Sequence, residues 1–277
     1  MDGVRTVDTQ VGSLSVAVMG DGAPVVLWHS LFVDDRSWDQ LVSELGGGYR
    51  LIRITGPGHG DSRDPGRRYS LDDCANAAHT VLDRLNVQGP VDWVGNAWGG
   101  HVGVIFAARS PERCRSLVTI GTPLQPLSPF ERARTVVLLM AHRILGMTRF
   151  VQDAVIGALL SPHTRQLNPA AVELVRDCLT SADPDQLRNA VVSSSLRRPD
   201  SRPLLASISA PTVMITGTDH AGWTQAQAED AARSMRNGST ALIAHAAYLG
   251  PLEAPAETAA IITRFWASSQ LAPTPKN

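Results

Sequence analysis

The chain has 277 residues, a formal net charge of −1 and 43% hydrophobic residues, enough to bury one sizeable core and a modest accessory lobe. Its charges are interspersed and form no basic stripe for nucleic acid and no polybasic patch for a membrane. It opens without the apolar stretch of a signal peptide, and no apolar run reaches the roughly 18 residues that span a bilayer. We therefore expect a cytoplasmic protein with small-molecule partners, whose oligomeric state the sequence leaves open.

In the first half of the chain, short β-rich runs alternate with amphipathic stretches. This alternation is typical of a mostly parallel sheet that is covered by helices on both faces. A half-buried strand is predicted over residues 14–19, and the continuous apolar run at 25–28 predicts a strand buried on both faces. Further strands are predicted over 50–55, 91–95 and 116–120, and helices over 70–85 and 99–110.

Between residues 123 and 203 the strand pattern gives way to helical periodicity. Ser128, Pro129 and Glu131 supply the residues of a capping box, and helices are predicted over 129–145, 150–160, 169–180 and 184–195. Strands over 211–217 and 239–244 and helices over 224–234 and 255–267 follow, and then a polar tail, 273–277, expected to be disordered. The predicted organisation is a core of residues 1–122 and 204–277 with a helical cap or lid over 123–203.

Four short motifs follow predicted strands in a fixed order. They read HSLF at 29–32, GPGHGDS at 56–62, GNAWGG at 95–100 and LGPLEAP at 249–255. Together they resemble the capped α/β-hydrolase superfamily, especially its esterase, carbon–carbon hydrolase and cofactor-free haloperoxidase-like branches. The resemblance covers the whole core but not the inserted helices, and it implies an α/β-hydrolase fold.

The resemblance also implies where a catalytic triad would stand. The family's nucleophile elbow is G-x-S-x-G, a strained strand-to-helix turn, and here Gly95 and Gly99 flank Ala97. Alanine has no lone pair with which to attack a carbonyl, so no covalent intermediate can form on this side chain.

The acid and base positions of the family are also occupied by other residues. Counting from the glycine that ends the strand after the insertion gives His220, with Asp219 one residue earlier as an alternative acid. Counting back five residues from Glu253 gives Tyr248 at the position of the family's histidine. His245 lies three residues before it and is a weaker alternative base.

Backbone groups of the family's site do not depend on these side chains. The resemblance implies an oxyanion hole formed by the main-chain N–H of Trp98 and by that of Leu31 or Phe32. His29, His59 and His101 are expected to serve the structure, not the chemistry. No metal-ligand spacing such as H-E-x-x-H occurs, so neither a metal nor a cofactor is expected.

The sequence leaves open whether the missing triad is native or engineered. Replacing the nucleophile alone would suffice to trap a substrate, since losing nucleophile or base already removes most activity. The leading hypothesis is a protein that binds a small, mainly apolar carbonyl compound under a helical lid. It would then catalyse enolisation, elimination or cyclisation, with His220 or Tyr248 moving protons. The alternatives are a ligand-binding or sensor protein without turnover, and an ester or carbon–carbon bond hydrolase whose triad was replaced by mutation.

Overall fold

The computed structural model describes residues 2–270, without the side chain of Gln270, and the predicted tail at 273–277 lies outside this range. In these residues eight strands form one sheet in the order β1-β2-β4-β3-β5-β6-β7-β8. Strands β1 to β8 are Gly3–Thr9, Gly12–Met19, Ala23–Trp28, Tyr49–Ile54, Val91–Asn96, Cys114–Ile120, Thr212–Gly217 and Gly238–Ile243. Only the pairs β1/β2 and β2/β4 are antiparallel, so the predicted mostly parallel sheet is confirmed.

Helices cover both faces of this sheet. Helices α1 to α11 are Asp39–Leu45, Leu71–Arg84, Trp98–Arg109, Pro129–Leu145, Arg149–Leu159, Pro162–Leu167, Pro169–Ser181, Pro184–Val191, Gln225–Arg233, Gly250–Glu253 and Pro255–Gln270. Among residues 2–270, no helix has the length and apolar character needed to cross a membrane.

Strand β3 shows how the core is divided between the two faces. Val26 and Trp28 belong to the cluster that packs under α2, α3 and α9, whereas Val25 and Leu27 belong to the cluster under α1 and α11. Because successive side chains of a strand point to opposite faces, a continuous apolar run is required wherever both faces are covered.

The structure adds elements that periodicity alone does not predict. Strand β1 was not predicted. It forms the edge of the sheet and pairs with β2, which contains the strand predicted over residues 14–19. Three short helices, α1, α6 and α10, were also not predicted, because they have only seven, six and four residues and offer too few turns for a clear apolar period. The helix predicted over 184–195 ends as α8 at Val191 and continues as a π-helical turn, Val192–Leu196.

Helices α4 to α8, which we call the inserted helices, all lie between β6 and β7 in sequence. Their buried side chains on α5 and α7 form a third apolar cluster together with Leu249 of the loop after β8 and Leu252 of α10. The division of the chain at residues 123 and 203 into core and cap stays a prediction.

Glu253 connects that loop to the inserted helices. One carboxylate oxygen, Oε1, accepts hydrogen bonds from the N–H groups of Ala247 and Leu249, at 2.9 and 3.0 Å. The other, Oε2, accepts from the Ser161 N–H at 2.8 Å and the Thr164 hydroxyl at 3.0 Å. A single side chain thereby fixes the main chain on both sides of Tyr248 against the start of α6.

We predict that Glu253→Ala lowers the free energy of unfolding by about 3 kcal/mol, because four donors lose a charged acceptor. The exposed Glu257 in the first turn of α11 is the control, and Glu257→Ala should cost no more than about 1 kcal/mol. Urea denaturation of both variants measures the difference, and equal effects would contradict the role given to Glu253.

Candidate functional site

The turn between β5 and α3 has the strained geometry of a nucleophile elbow. Ala97, at its apex, has φ 44° and ψ −98°, a backbone conformation that residues other than glycine rarely adopt. The Ala97 N–H donates to the carbonyl of Ile120 on the neighbouring strand, at 2.7 Å. The turn therefore has the backbone geometry of a nucleophile elbow with alanine at its apex.

Close main-chain packing explains the glycines that flank Ala97. A Cβ on Gly99 would lie 1.9 Å from the Trp28 carbonyl oxygen, and one on Gly95 would lie 2.2 Å from the main chain of Gly99. Both contacts are far shorter than van der Waals distance. The N–H of Gly99 also donates to the His29 carbonyl, at 3.2 Å. Gly99 therefore joins the elbow to the loop after β3.

The elbow lies between β3 and β5, where the strand order changes direction. Ligands of open α/β sheets bind at such a switch point, outside the carboxyl ends of the strands. A cavity of about 890 Å³ occupies this place, and Leu31, Phe32, Ala97 and Trp98 all line it.

Two main-chain N–H groups at the cavity are available to a ligand. Among the described residues, neither Leu31 nor Trp98 donates its N–H to another protein group. The N–H of Phe32, by contrast, donates to His59 Nε2 at 3.2 Å. Leu31 is thus the better candidate partner for Trp98 in an oxyanion hole.

His29 and His59 hold the loops around these N–H groups. Nε2 of His29 accepts from the Gly56 N–H at 2.8 Å, and its Nδ1 lies 2.6 Å from the Ser30 carbonyl. His59 Nδ1 lies 3.2 Å from the Pro57 carbonyl. Burial lowers the pKa of both rings, that of His59 to about 3, so both are neutral, with the proton on Nδ1.

His220 and Tyr248 are in contact with their rings tilted by 36°, and no hydrogen bond joins them. The ring centroids are 3.7 Å apart. His220 Nδ1 accepts from the Gly222 N–H at 3.1 Å, and Nε2 faces the Gly121 carbonyl at 3.3 Å. Burial lowers the pKa of His220 to about 4. Both ring nitrogens of His220 therefore face main-chain groups, and its ring packs against the ring of Tyr248.

Tyr248 itself lines the cavity. Its main chain is fixed on both sides, since its N–H donates to the Leu159 carbonyl at 3.2 Å and its carbonyl accepts from Asn96 Nδ2 at 2.6 Å. Burial raises the pKa of its phenol, so the hydroxyl stays protonated at neutral pH.

The alternative acid and base positions lie at the surface. Asp219 is exposed and is bonded to the neighbouring Thr218 hydroxyl at 3.0 Å, although it reaches the rim of the cavity. His245 is exposed and stacks on His163 of α6, with ring centroids 4.9 Å apart. Neither is placed to replace a triad residue at Ala97, and their assignment as catalytic residues stays a prediction.

Three further polar residues line the cavity that the sequence reasoning did not assign to the site. Glu131 lies on α4, Arg198 follows the π-helical turn, and His101 stands one turn into α3. Only tertiary packing brings them together, because the capping box marks Glu131 as part of a helix start and no motif marks Arg198. Within the described range, no group of three or more histidine, cysteine or carboxylate side chains is placed to hold a metal ion.

The strained elbow, the pair of available N–H groups and the cavity above the parallel strands define the class of this protein as an α/β-hydrolase architecture. Residues 23–248 match the family described as alpha/beta hydrolase fold. The chain belongs to this family, which confirms the fold predicted from the motifs.

Individual relatives are hydrolases by name. The chain is 30% identical over 112 residues to a pimeloyl-(acyl-carrier protein) methyl ester esterase of Nitrosomonas europaea, covering 40% of this chain and 42% of the relative. It is 29% identical over 208 residues to a 2-hydroxy-6-oxononadienedioate/2-hydroxy-6-oxononatrienedioate hydrolase of Klebsiella pneumoniae, covering 73% and 69%. The match to the first of these relatives thus spans less than half of that protein's length.

A solved structure agrees over nearly the whole chain. A thermophilic esterase from Thermogutta terrifontis superposes with a TM-score of 0.86 at 25% identity, covering 96% of this chain and 99% of the esterase.

We predict that Ala97→Gly raises the free energy of unfolding by about 1 kcal/mol, because glycine relieves the strain at φ 44° and this outweighs its greater freedom in the unfolded chain. The exposed Ala260, inside α11, is the control, where the same change should cost about 1 kcal/mol. Chemical denaturation would show opposite signs, and a loss of stability in both variants would mean that the elbow is not strained.

We predict that acid destabilises the protein partly through His220. Its pKa is about 4 when folded and 6.5 as an isolated group, so the unfolded chain binds this proton first. The stabilisation that comes from keeping His220 neutral is complete above pH 6.5. It is lost as the pH falls toward 4, by up to about 1.4 kcal/mol per pH unit. His220→Asn should flatten this slope, and His163→Asn, at an exposed position, should not. Denaturation midpoints between pH 7 and 4 test this, and parallel slopes in all three proteins would disprove it.

Proposed function

We propose that the protein binds a small, mainly apolar carbonyl compound in the cavity and acts on it by acid–base chemistry, without an acyl-enzyme and without hydrolysis. The observation that carries the proposal is the unchanged elbow with Ala97 at its apex, beside two N–H groups that no protein group occupies. The carbonyl oxygen of the ligand would accept from the N–H groups of Leu31 and Trp98. Such donors stabilise negative charge that develops on oxygen, as in an enolate.

The residue at the apex argues against covalent catalysis. Ala97 offers no oxygen or sulfur to attack a carbonyl carbon. Loss of the triad is therefore part of the proposal, together with the non-hydrolytic reactions of enolisation, elimination or cyclisation.

Tyr248 is the group best placed to move a proton. Burial keeps its phenol protonated. In the proposed exchange a water molecule accepts the α-proton that leaves the ligand, Tyr248 donates a proton back to the enolate carbon, and its phenolate recovers a proton from solvent. The carboxylate of Glu131 lies close enough to raise the pKa of this phenol further. His220 is a poorer proton carrier, because its pKa is about 4 and main-chain groups occupy both ring nitrogens.

Two relatives agree with a carbonyl ligand, since a methyl ester and an oxo acid appear in their names. The engagement of both His220 nitrogens also favours a second candidate, a protein that binds such a compound without turning it over. The third candidate is a hydrolase whose triad was replaced by mutation, and it predicts that restoring the triad restores hydrolysis.

The test uses the neutral ketone propiophenone. We predict that the protein binds it and accelerates exchange of its α-protons in D2O, followed by proton NMR. Tyr248→Phe should slow this exchange roughly 100-fold and change the affinity by no more than about threefold. Binding without accelerated exchange would favour the second candidate, and no binding would reject the proposed function.

The same preparation is incubated with p-nitrophenyl butanoate, and intact-protein mass spectrometry looks for an acyl adduct. We expect neither an adduct nor hydrolysis above the rate in buffer, since Ala97 cannot be acylated. Hydrolysis by the wild type would contradict the proposal. Hydrolysis gained only in the variant Ala97→Ser, His220→Asp, Tyr248→His would favour the third candidate.

A further inference from the structure

Three residues of the cavity lining each carry a buried polar atom without a partner. Among the described residues, Nε of Arg198, Nδ1 of His101 and Oγ of Ser194 are buried and have no hydrogen-bond partner. All three residues line the cavity. Polar groups that are buried and unpaired are rare in folded proteins, and each calls for a group that satisfies it.

Arg198 carries a positive charge that the protein does not neutralise. Its guanidinium donates from one terminal nitrogen to the Gln125 carbonyl at 2.7 Å, and the other lies 3.3 Å from His101 Nε2. Both partners are uncharged. In the described part of the chain no carboxylate forms an ion pair with it, whereas Arg202, four residues later, is paired with Asp200.

Glu131 is the carboxylate that acts on Arg198 from a distance. It remains separate because its own helix holds it, since Glu131 Oε2 accepts from the Ser128 N–H at 2.8 Å in the capping box of α4. Tyr248 is the other titratable group that acts on Arg198. The half-buried guanidinium therefore lies near the phenol and beside the imidazole with donors to spare.

His101 holds the Arg198 guanidinium in place at the cavity. It is 3% exposed, and its Nε2 can only accept from the Arg198 guanidinium, which has no lone pair to offer. The proton of the neutral ring therefore stands on Nδ1. The two terminal nitrogens of Arg198 face Gln125 and His101 with one N–H each, so each keeps a second N–H for a ligand in the cavity.

We propose that the ligand carries a carboxylate in addition to its carbonyl group, and that Arg198, held in place by Gln125 and His101, binds this carboxylate. The inference rests on the proposed function, because it concerns the same cavity and the same ligand. It makes the ligand an apolar oxo acid or a related carbonyl compound with one anionic end. Arginine suits this role because its planar guanidinium matches a carboxylate.

Three matched probes separate the two groups of the ligand. The probe 4-oxo-4-phenylbutanoate has both a ketone and a carboxylate, its methyl ester has a ketone and no charge, and 4-phenylbutanoate has a carboxylate and no ketone. Isothermal titration calorimetry on the full chain gives a Kd for each. We expect the oxo acid to bind at least about tenfold more tightly than its methyl ester.

The variants test which residue causes that preference. Arg198→Gln should weaken binding of the oxo acid at least about tenfold and leave the methyl ester within about twofold, while Arg198→Lys should retain part of the preference. Arg197→Gln, at the exposed neighbouring position, is the control and should change neither.

The outcomes are distinguishable from those of the proposed function. Equal affinity of wild type for the oxo acid and its ester would overturn the carboxylate site and leave the carbonyl proposal standing, and this comparison needs no variant. Equal binding of 4-phenylbutanoate and the oxo acid, with no binding of the ester, would support the Arg198 site and reject the carbonyl proposal. Failure of all three probes to bind would reject both.

Discussion

The site depends on one close approach of main chain to main chain. Gly99 at the start of α3 packs directly on the carbonyl of Trp28 at the end of β3, and its N–H bonds to the next carbonyl of that strand's loop. This contact holds the elbow against the loop that carries Leu31. With it fixed, Ala97 is held at φ 44°, and the N–H groups of Leu31 and Trp98 stay at the same cavity.

The elbow and the two N–H groups at the cavity are built from main-chain geometry. The elbow and its N–H groups require glycines and a strained turn, not a serine, and they remain intact with alanine at the apex. Glu253 remains too, because it fixes the loop of Tyr248 and the start of α6 through four hydrogen bonds.

The electrostatics of the cavity follow from burial. His29, His59, His101 and His220 all have lowered pKa values with burial as the main cause, so these imidazoles, of which His101 lines the cavity, are neutral at neutral pH. Burial likewise keeps Tyr248 protonated. Arg198 is a half-buried charged group of the cavity lining that forms no ion pair within the described protein, and a ligand anion would complement its charge.

Periodicity and turn residues were sufficient to predict the alternating sheet, the capping box before α4 and the four motifs at strand ends, because these depend on residues close together in sequence. Position counting within the motifs also located Ala97 and Tyr248 at the cavity. The contacts among distant residues could not be predicted in this way. His220 was a candidate for moving protons at the cavity, yet its ring lies tilted against Tyr248 and both of its nitrogens face main-chain groups, an arrangement that loop packing decides. Arg198, His101 and Glu131 lie in segments without a shared motif, and only folding of the inserted helices over the sheet brings them to one cavity.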